Sequence, residues 1–129
     1  MQSFSIRTQK HTQFLDITGN VQTVVSNSGI ANGVATVYIP HTTAGITINE
    51  NADPDVVADM TEALGRAIPW EAGYRHLEGN AAAHVKCSLM GSSVQVIVES
   101  GILQLGTWQA IYFCEFDGPR SRNVWVRVG

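Results

Sequence analysis

Three of the chain's four histidines stand beside turn residues. His41 follows Pro40 at the end of a strand-like run, His76 lies between Gly73 and Gly79, and His84 follows Asn80 and three alanines. Imidazole moves protons near neutral pH and ligates zinc-like ions. Three converging rings would make an open metal site with a position left for water or substrate. Their spacing matches no local zinc pattern, so spacing alone leaves standing the alternative of three unrelated hydrogen-bonded histidines. His11, in a polar stretch, needs no special role.

Other residues suit binding. His41-Thr42-Thr43-Ala44-Gly45 offers two hydroxyls and several backbone amides, a setting for an oxyanion or phosphate. Asn49-Glu50-Asn51-Ala52-Asp53 places polar side chains just before a helix; Asp53 reads as its cap, and Glu50 is free to act as acid, base or ligand. Gly106-Thr107-Trp108-Gln109 interrupts two strands, so the indole can line a ring-shaped ligand that the amide orients, or simply cover the core. Glu115 and Asp117 share a strand parity with Ile111 and Phe113, and an unpaired charge on an apolar face is costly. Arg120 or Arg122, across the Asp117-Gly118-Pro119 turn, can pair with them. No nucleophile stands out: Ser88 and Cys87 have no base nearby in sequence.

These residues need elements to hold them. Phe4 and Ile6 alternate with polar neighbours in a first strand. Thr18, the stripe Val21, Val24 and Val25, and Gly29 read as a capped helix near 18–28. Gly33 to Ile39 and Gly45 to Ile48 read as strands. Asp53-Pro54-Asp55 opens the clearest helix, whose face of Val56, Val57, Met60, Leu64 and Ile68 runs to Pro69. Residues 70–81 read as loop, and 81–90 fit neither period. After Gly91, strands follow at 94–99, 102–105, 110–116 and 124–128. The expected class is α+β: mainly antiparallel sheets with one long central helix and one shorter helix packed on them, in a single domain over 1–129.

Composition narrows the function classes. The chain is 44% hydrophobic and 15% charged, which argues against disorder. Eight Lys and Arg face eleven Asp and Glu with no basic run, so binding to nucleic acid has no footprint. So few charges suit a surface partly hidden in an oligomer. Cys87 and Cys114 lack metal spacing and read as small buried hydrophobes. No stretch reaches the ~20 apolar residues of a membrane span, and the first residues lack a signal-peptide core, so a cytoplasmic protein is expected.

Several blocks run in order along the chain: His41-Thr42-Thr43-Ala44, then Ile48-Asn49-Glu50-Asn51-Ala52-Asp53-Pro54-Asp55-Val56, Tyr74-Arg75-His76 with Glu78-Gly79-Asn80, Ala83-His84-Val85-Lys86, Gly106-Thr107-Trp108-Gln109, and Glu115-Phe116-Asp117-Gly118-Pro119-Arg120. In this order they resemble the YjbQ-like family from about residue 4 to the end. The resemblance implies a mainly β fold with packed helices, a homotrimer, and a site holding His41, His76 and His84. It also implies a secondary thiamine-phosphate synthase activity, joining a pyrimidine diphosphate to a thiazole phosphate. In that enzyme reading the three histidines, with Glu50, would hold a divalent ion (zinc or magnesium) or a phosphate group. Thr42, Thr43, Asn49, Trp108, Gln109 and Arg120 would bind a small phosphorylated metabolite. The alternative is a non-catalytic trimer that holds a metal or a small anion. One residue departs from the family pattern: Ala82 stands where relatives commonly carry an acidic or bulkier side chain, so a carboxylate near the last histidine is missing.

Overall fold

The alternating segments become two antiparallel sheets, described by a computed structural model of residues 1–129. The larger contains β1 (Gln2–Arg7), β3 (Gly33–Tyr38), β5 (Ser93–Glu99), β6 (Ile102–Leu103) and β8 (Ser121–Val128), in the order β1-β8-β3-β5-β6. The smaller contains β2 (Gln13–Asp16), β4 (Ala44–Glu50) and β7 (Gln109–Glu115), in the order β2-β7-β4. Every pairing is antiparallel.

The facing sides of the two sheets form the main core. Val37, Val96, Val98, Val124 and Val126 of the larger sheet meet Ile46, Ile111 and Phe113 of the smaller. Helix α1 (Thr18–Ser28) closes this core with Val21 and Val25. The sequence assigns Thr18 to the cap, but Ile17 holds that position. The Thr18 hydroxyl instead accepts the backbone N–H of Ile111 at 2.9 Å, tying the helix to β7. Gly29 ends the helix at φ 71°, a conformation that suits glycine.

The other side of the smaller sheet is also covered. Tyr112, Cys114 and Phe116 pack with Ala83 of α3 (Ala81–Met90) and, at the edge, with Val57 and Leu64 of α2 (Pro54–Ala67). Strand β7 is therefore buried on both faces beyond Gln109. Helix α2 begins as expected: the Asp53 carboxylate accepts the Asp55 N–H at 2.9 Å. It buries no residue fully, so its apolar stripe rests on the sheet rather than within a core.

The segment 81–90, which fits neither period, is the third helix, so the expected pair of helices becomes three. Its inward residues are Ala82, Ala83 and Lys86 rather than a stripe of large apolar side chains. Small residues let its end lie on the backbone of β4. A Cβ on Gly45 would stand 2.8 Å from the Gly91 carbonyl oxygen and 3.1 Å from Met90 Cβ.

Candidate functional site

At the Ala44–Glu115 end of the smaller sheet a cleft of about 440 Å³ opens. The loop between β3 and β4 contributes His41, Thr42 and Thr43. The loop before α3 brings His76, Glu78 and Asn80, α3 brings His84, and the β7–β8 connection and β8 bring Arg120 and Arg122. Apart from Pro40, every lining residue is polar.

A buried ion pair forms the floor. Glu115 is 0% exposed and Arg122 3%. Arg122 Nε donates to Glu115 Oε1 at 2.9 Å, and Nη2 donates to Glu115 Oε2 and, at 2.8 Å, to Thr43 Oγ1. The Thr8 hydroxyl donates to Glu115 Oε1 at 2.8 Å, and the Asp117 N–H to Oε2 at 3.1 Å. Burial alone would raise the Glu115 carboxyl. The hydrogen bonds from Arg122, Thr8 and Asp117, with the Arg122 charge, outweigh it and hold the group below the usual carboxylate range. Nε and Nη2 of Arg122 are committed; Nη1 makes no hydrogen bond within the chain. Arg120 pairs with the neighbouring acid, donating from Nη2 to Asp117 Oδ2 at 3.1 Å. Both arginines named from sequence are thus paired, each with its own carboxylate. Gly118 leaves no room for a side chain in this turn: its Cβ would stand 2.8 Å from Glu115 Cγ and 2.9 Å from Thr8 Oγ1.

The three histidines line one cleft but form no three-ligand centre. His76 and His84 meet edge to face, ring centroids 5.3 Å apart. His41 is engaged elsewhere: the Asn123 N–H donates to its Nε2 at 2.9 Å. A ring nitrogen that accepts an N–H has no proton, so Nδ1 carries it and neither nitrogen has a lone pair left for a metal. Burial and the Arg122 charge also lower the His41 pKa, keeping the ring neutral. No group of three or more His, Cys, Asp or Glu side chains is placed to hold a metal ion. The expected zinc- or magnesium-type centre on His41, His76 and His84 therefore does not fit this arrangement; only His76 and His84 remain as neighbouring ring ligands.

Four expected site residues lie elsewhere. Glu50 pairs with Gln109 at the opposite end of the β4–β7 ladder, six residues from the Ala44–Glu115 pair, or about 20 Å at the rise of a strand. Gln109 Oε1 accepts the Gly106 N–H at 2.8 Å, clamping its own turn. Asn49 Nδ2 contacts Met60 Sδ at 3.5 Å. Trp108 is 62% exposed. Within one chain, Glu50, Asn49, Trp108 and Gln109 do not join the histidines, because β4 and β7 carry them to the far end.

Three polar lining residues, Glu78, Asn80 and Arg122, are absent from the sequence-based site, the sequence offering Arg122 only as a partner for a carboxylate. The signal that could have found Glu78 and Asn80 is the Glu78-Gly79-Asn80 block among those that carry the family resemblance. Ala82 is buried and does not line the cleft, so its side chain fills an interior position. Cys87 and Cys114 are both free; Cys114 is buried, whereas Cys87 is half-buried and donates from Sγ to the Ala44 carbonyl at 3.1 Å. Burial raises both thiols, which suits inert packing roles.

The fold and cleft define a small α+β protein of two antiparallel sheets with a polar histidine–arginine cleft at one end. The chain belongs to the UPF0047 protein YjbQ-like family, whose profile matches residues 2–129. It is 53% identical over 129 residues to UPF0047 protein YugU of Bacillus subtilis, covering 99% of this chain and 98% of that protein. A UPF0047 protein of Archaeoglobus fulgidus is 44% identical over 126 residues, covering 96% of this chain and 97% of that one. The crystal structure of an uncharacterized conserved YjbQ/UPF0047 family protein from Clostridium acetobutylicum superposes with a TM-score of 0.98 at 54% identity, covering all of both chains. A conserved hypothetical protein from Thermus thermophilus gives 0.93 at 38% identity, again over both full chains.

Proposed function

We propose that the cleft binds the phosphate end of a small metabolite. Arg122 carries this reading. Its guanidinium is fixed by Glu115 and Thr43 and keeps Nη1 uncommitted at a cleft lined by polar side chains. A planar donor fork held in place suits phosphate oxygens. Arg120, the Thr42 hydroxyl, His76, His84 and the Nδ1–H of His41 add donors around it.

The family resemblance supplies the reaction: thiamine-phosphate formation, in which a thiazole phosphate nitrogen displaces pyrophosphate from a pyrimidine diphosphate. Charge collects on the leaving pyrophosphate, and preorganised N–H donors stabilise it there. The test is turnover by purified protein given both substrates. Losing one donor to a charged group is expected to lower the rate about tenfold or more in His84→Ala. Product formation no greater than in that variant would sink the enzyme reading.

A second reading is a non-catalytic small-anion-binding protein. One observation favours it: apart from its imidazoles the cleft has no Phe, Tyr or Trp to hold either heterocycle, and Trp108 lies at the far end. Pyrophosphate binding in calorimetry without turnover is its expected signature. In both readings we place the protein in the cytoplasm as a homotrimer. The homotrimer follows from the family resemblance, and Leu77, Leu89 and Trp108 are large apolar side chains left on the surface of one chain that further copies would cover; no helix is long and apolar enough to cross a membrane. A monomer mass by light scattering would remove the trimer.

A further inference from the structure

Resting on the phosphate reading, we infer that the cleft selects an oxyanion that still carries a proton over one that is fully ionised. Two acceptors stand among the donors of the lining. The Asn80 side chain is 6% exposed. Its Nδ2 donates to Glu78 Oε2 at 2.8 Å and to Asp117 Oδ2 at 2.9 Å. Both partners are carboxylates, which fixes the amide orientation and makes Oδ1 the acceptor. Oδ1 is the one buried side-chain polar atom in the chain without a hydrogen-bond partner.

Such an atom calls for an explanation, because burying an unpaired acceptor is costly. An Asn before a helix ordinarily turns its oxygen to the first N–H groups of that helix. Asn80 precedes α3 and makes no such bond, since its amide is turned to Glu78 and Asp117. Glu78 presents a second acceptor at the same wall of the cleft. In this turn the Gly79 N–H donates to the His76 carbonyl at 3.3 Å, and the Asn80 carbonyl accepts the Ala83 N–H at 3.0 Å where α3 begins. Oδ1 is itself closed off from solvent, so Glu78 is the acceptor a bound group reaches first, and Asn80 Oδ1 comes into reach only with a shift of this turn.

What both acceptors lack is a donor. A fully ionised oxyanion brings none and is repelled by the Glu78 carboxylate. An anion with an O–H donates to Glu78 or Asn80 while its remaining oxygens meet Arg122, Arg120 and the histidines. At pH 7 inorganic phosphate and pyrophosphate keep such a proton, whereas sulfate and most of a phosphate monoester do not, so the selectivity favours the released pyrophosphate over a monoester phosphate.

The experiment is calorimetric titration of the full chain at pH 7 with inorganic phosphate and with sulfate at matched ionic strength. Phosphate is expected to bind at least about tenfold more tightly, the scale of a hydrogen bond to a charged group. Glu78 lies in an exposed turn, so Glu78→Gln preserves the fold; it is expected to narrow the gap to about threefold or less, mainly by improving sulfate. Equal binding of both anions by the unmodified protein overturns the selectivity and leaves the phosphate reading standing. A gap that both Glu78→Gln and Asn80→Ser leave intact overturns it as well. Binding of neither anion overturns the phosphate reading itself.

Discussion

The β4–β7 ladder ends in two different ways. At Ala44–Glu115 it closes on buried polar side chains: Thr8, Thr43, Glu115 and Arg122 bond to one another and leave one nitrogen of Arg122 uncommitted toward a cleft. At Glu50–Gln109 the polar groups are exposed or half-buried and serve local needs. Gln109 clamps its turn, Asn51 donates to Asp16 at 3.1 Å, and the Glu50 carbonyl accepts the Tyr112 hydroxyl at 3.1 Å. Taking two charges out of water is expensive, and an apolar pair of similar volume is often as stable or more so. Retaining Glu115 and Arg122 at one end therefore points to work that an apolar pair could not do, namely holding a guanidinium still.

The largest expected effect tests that contrast directly. Arg122→Met strands the Glu115 carboxylate in a dry site and is expected to cost about 3–5 kcal/mol in urea unfolding. The double variant Arg122→Met/Glu115→Leu removes the stranded charge and is expected to recover most of that loss while phosphate binding stays absent. A double variant that regains both stability and binding would show the pair to be structural only.

The same end carries the acid sensitivity. The Glu115 pKa is lowered in the folded protein, so its stabilisation holds above the ordinary carboxylate range and is lost as pH falls through the folded value. The lowered His41 pKa has the same sign: stability is full above about pH 6.5 and declines as pH falls through that group's folded value. Unfolding midpoints are therefore expected to fall in two stages on acidification, His41 first. His41→Gln is expected to flatten the first stage and leave the second. A first stage that persists in this variant would assign it to other groups.

The parts of the fold written as periodic patterns were legible. Strands β3, β5 and β8 and helices α1 and α2 alternate or stripe because one side is more buried than the other, while β7, buried on both faces, stands out as an apolar run of strand length. Helix α3 was hidden because it packs through alanines and an aliphatic lysine stem, leaving no stripe of large residues. The cleft was half legible. His41, His76 and Arg120 come from separate loops and His84 from α3, a meeting that only the blocks shared with relatives could suggest. Glu50 and Trp108 sit in equally polar, glycine-punctuated stretches, and nothing in those residues says to which end of a strand pair they will be carried. The engagement of His41 by Asn123 is a contact between distant segments, and no local pattern announces it.

The smallest expected effect belongs to the open end, and it tests the comparison from the other side. Trp108 is 62% exposed, and in one chain its indole covers nothing at the cleft. A substitution at such a position usually shifts stability by no more than about 0.5 kcal/mol. Trp108→Ala is therefore expected to leave the unfolding midpoint nearly unchanged and phosphate affinity within experimental scatter. A loss of phosphate affinity without a loss of stability would mean that the two ends meet after all, the indole of one copy completing the cleft of the next. The ladder's open end would then be the missing aromatic wall, supplied by a partner. Measured at protein concentrations spanning assembly, that loss would disappear in the monomer, which separates a shared cleft from a long-range effect within one chain.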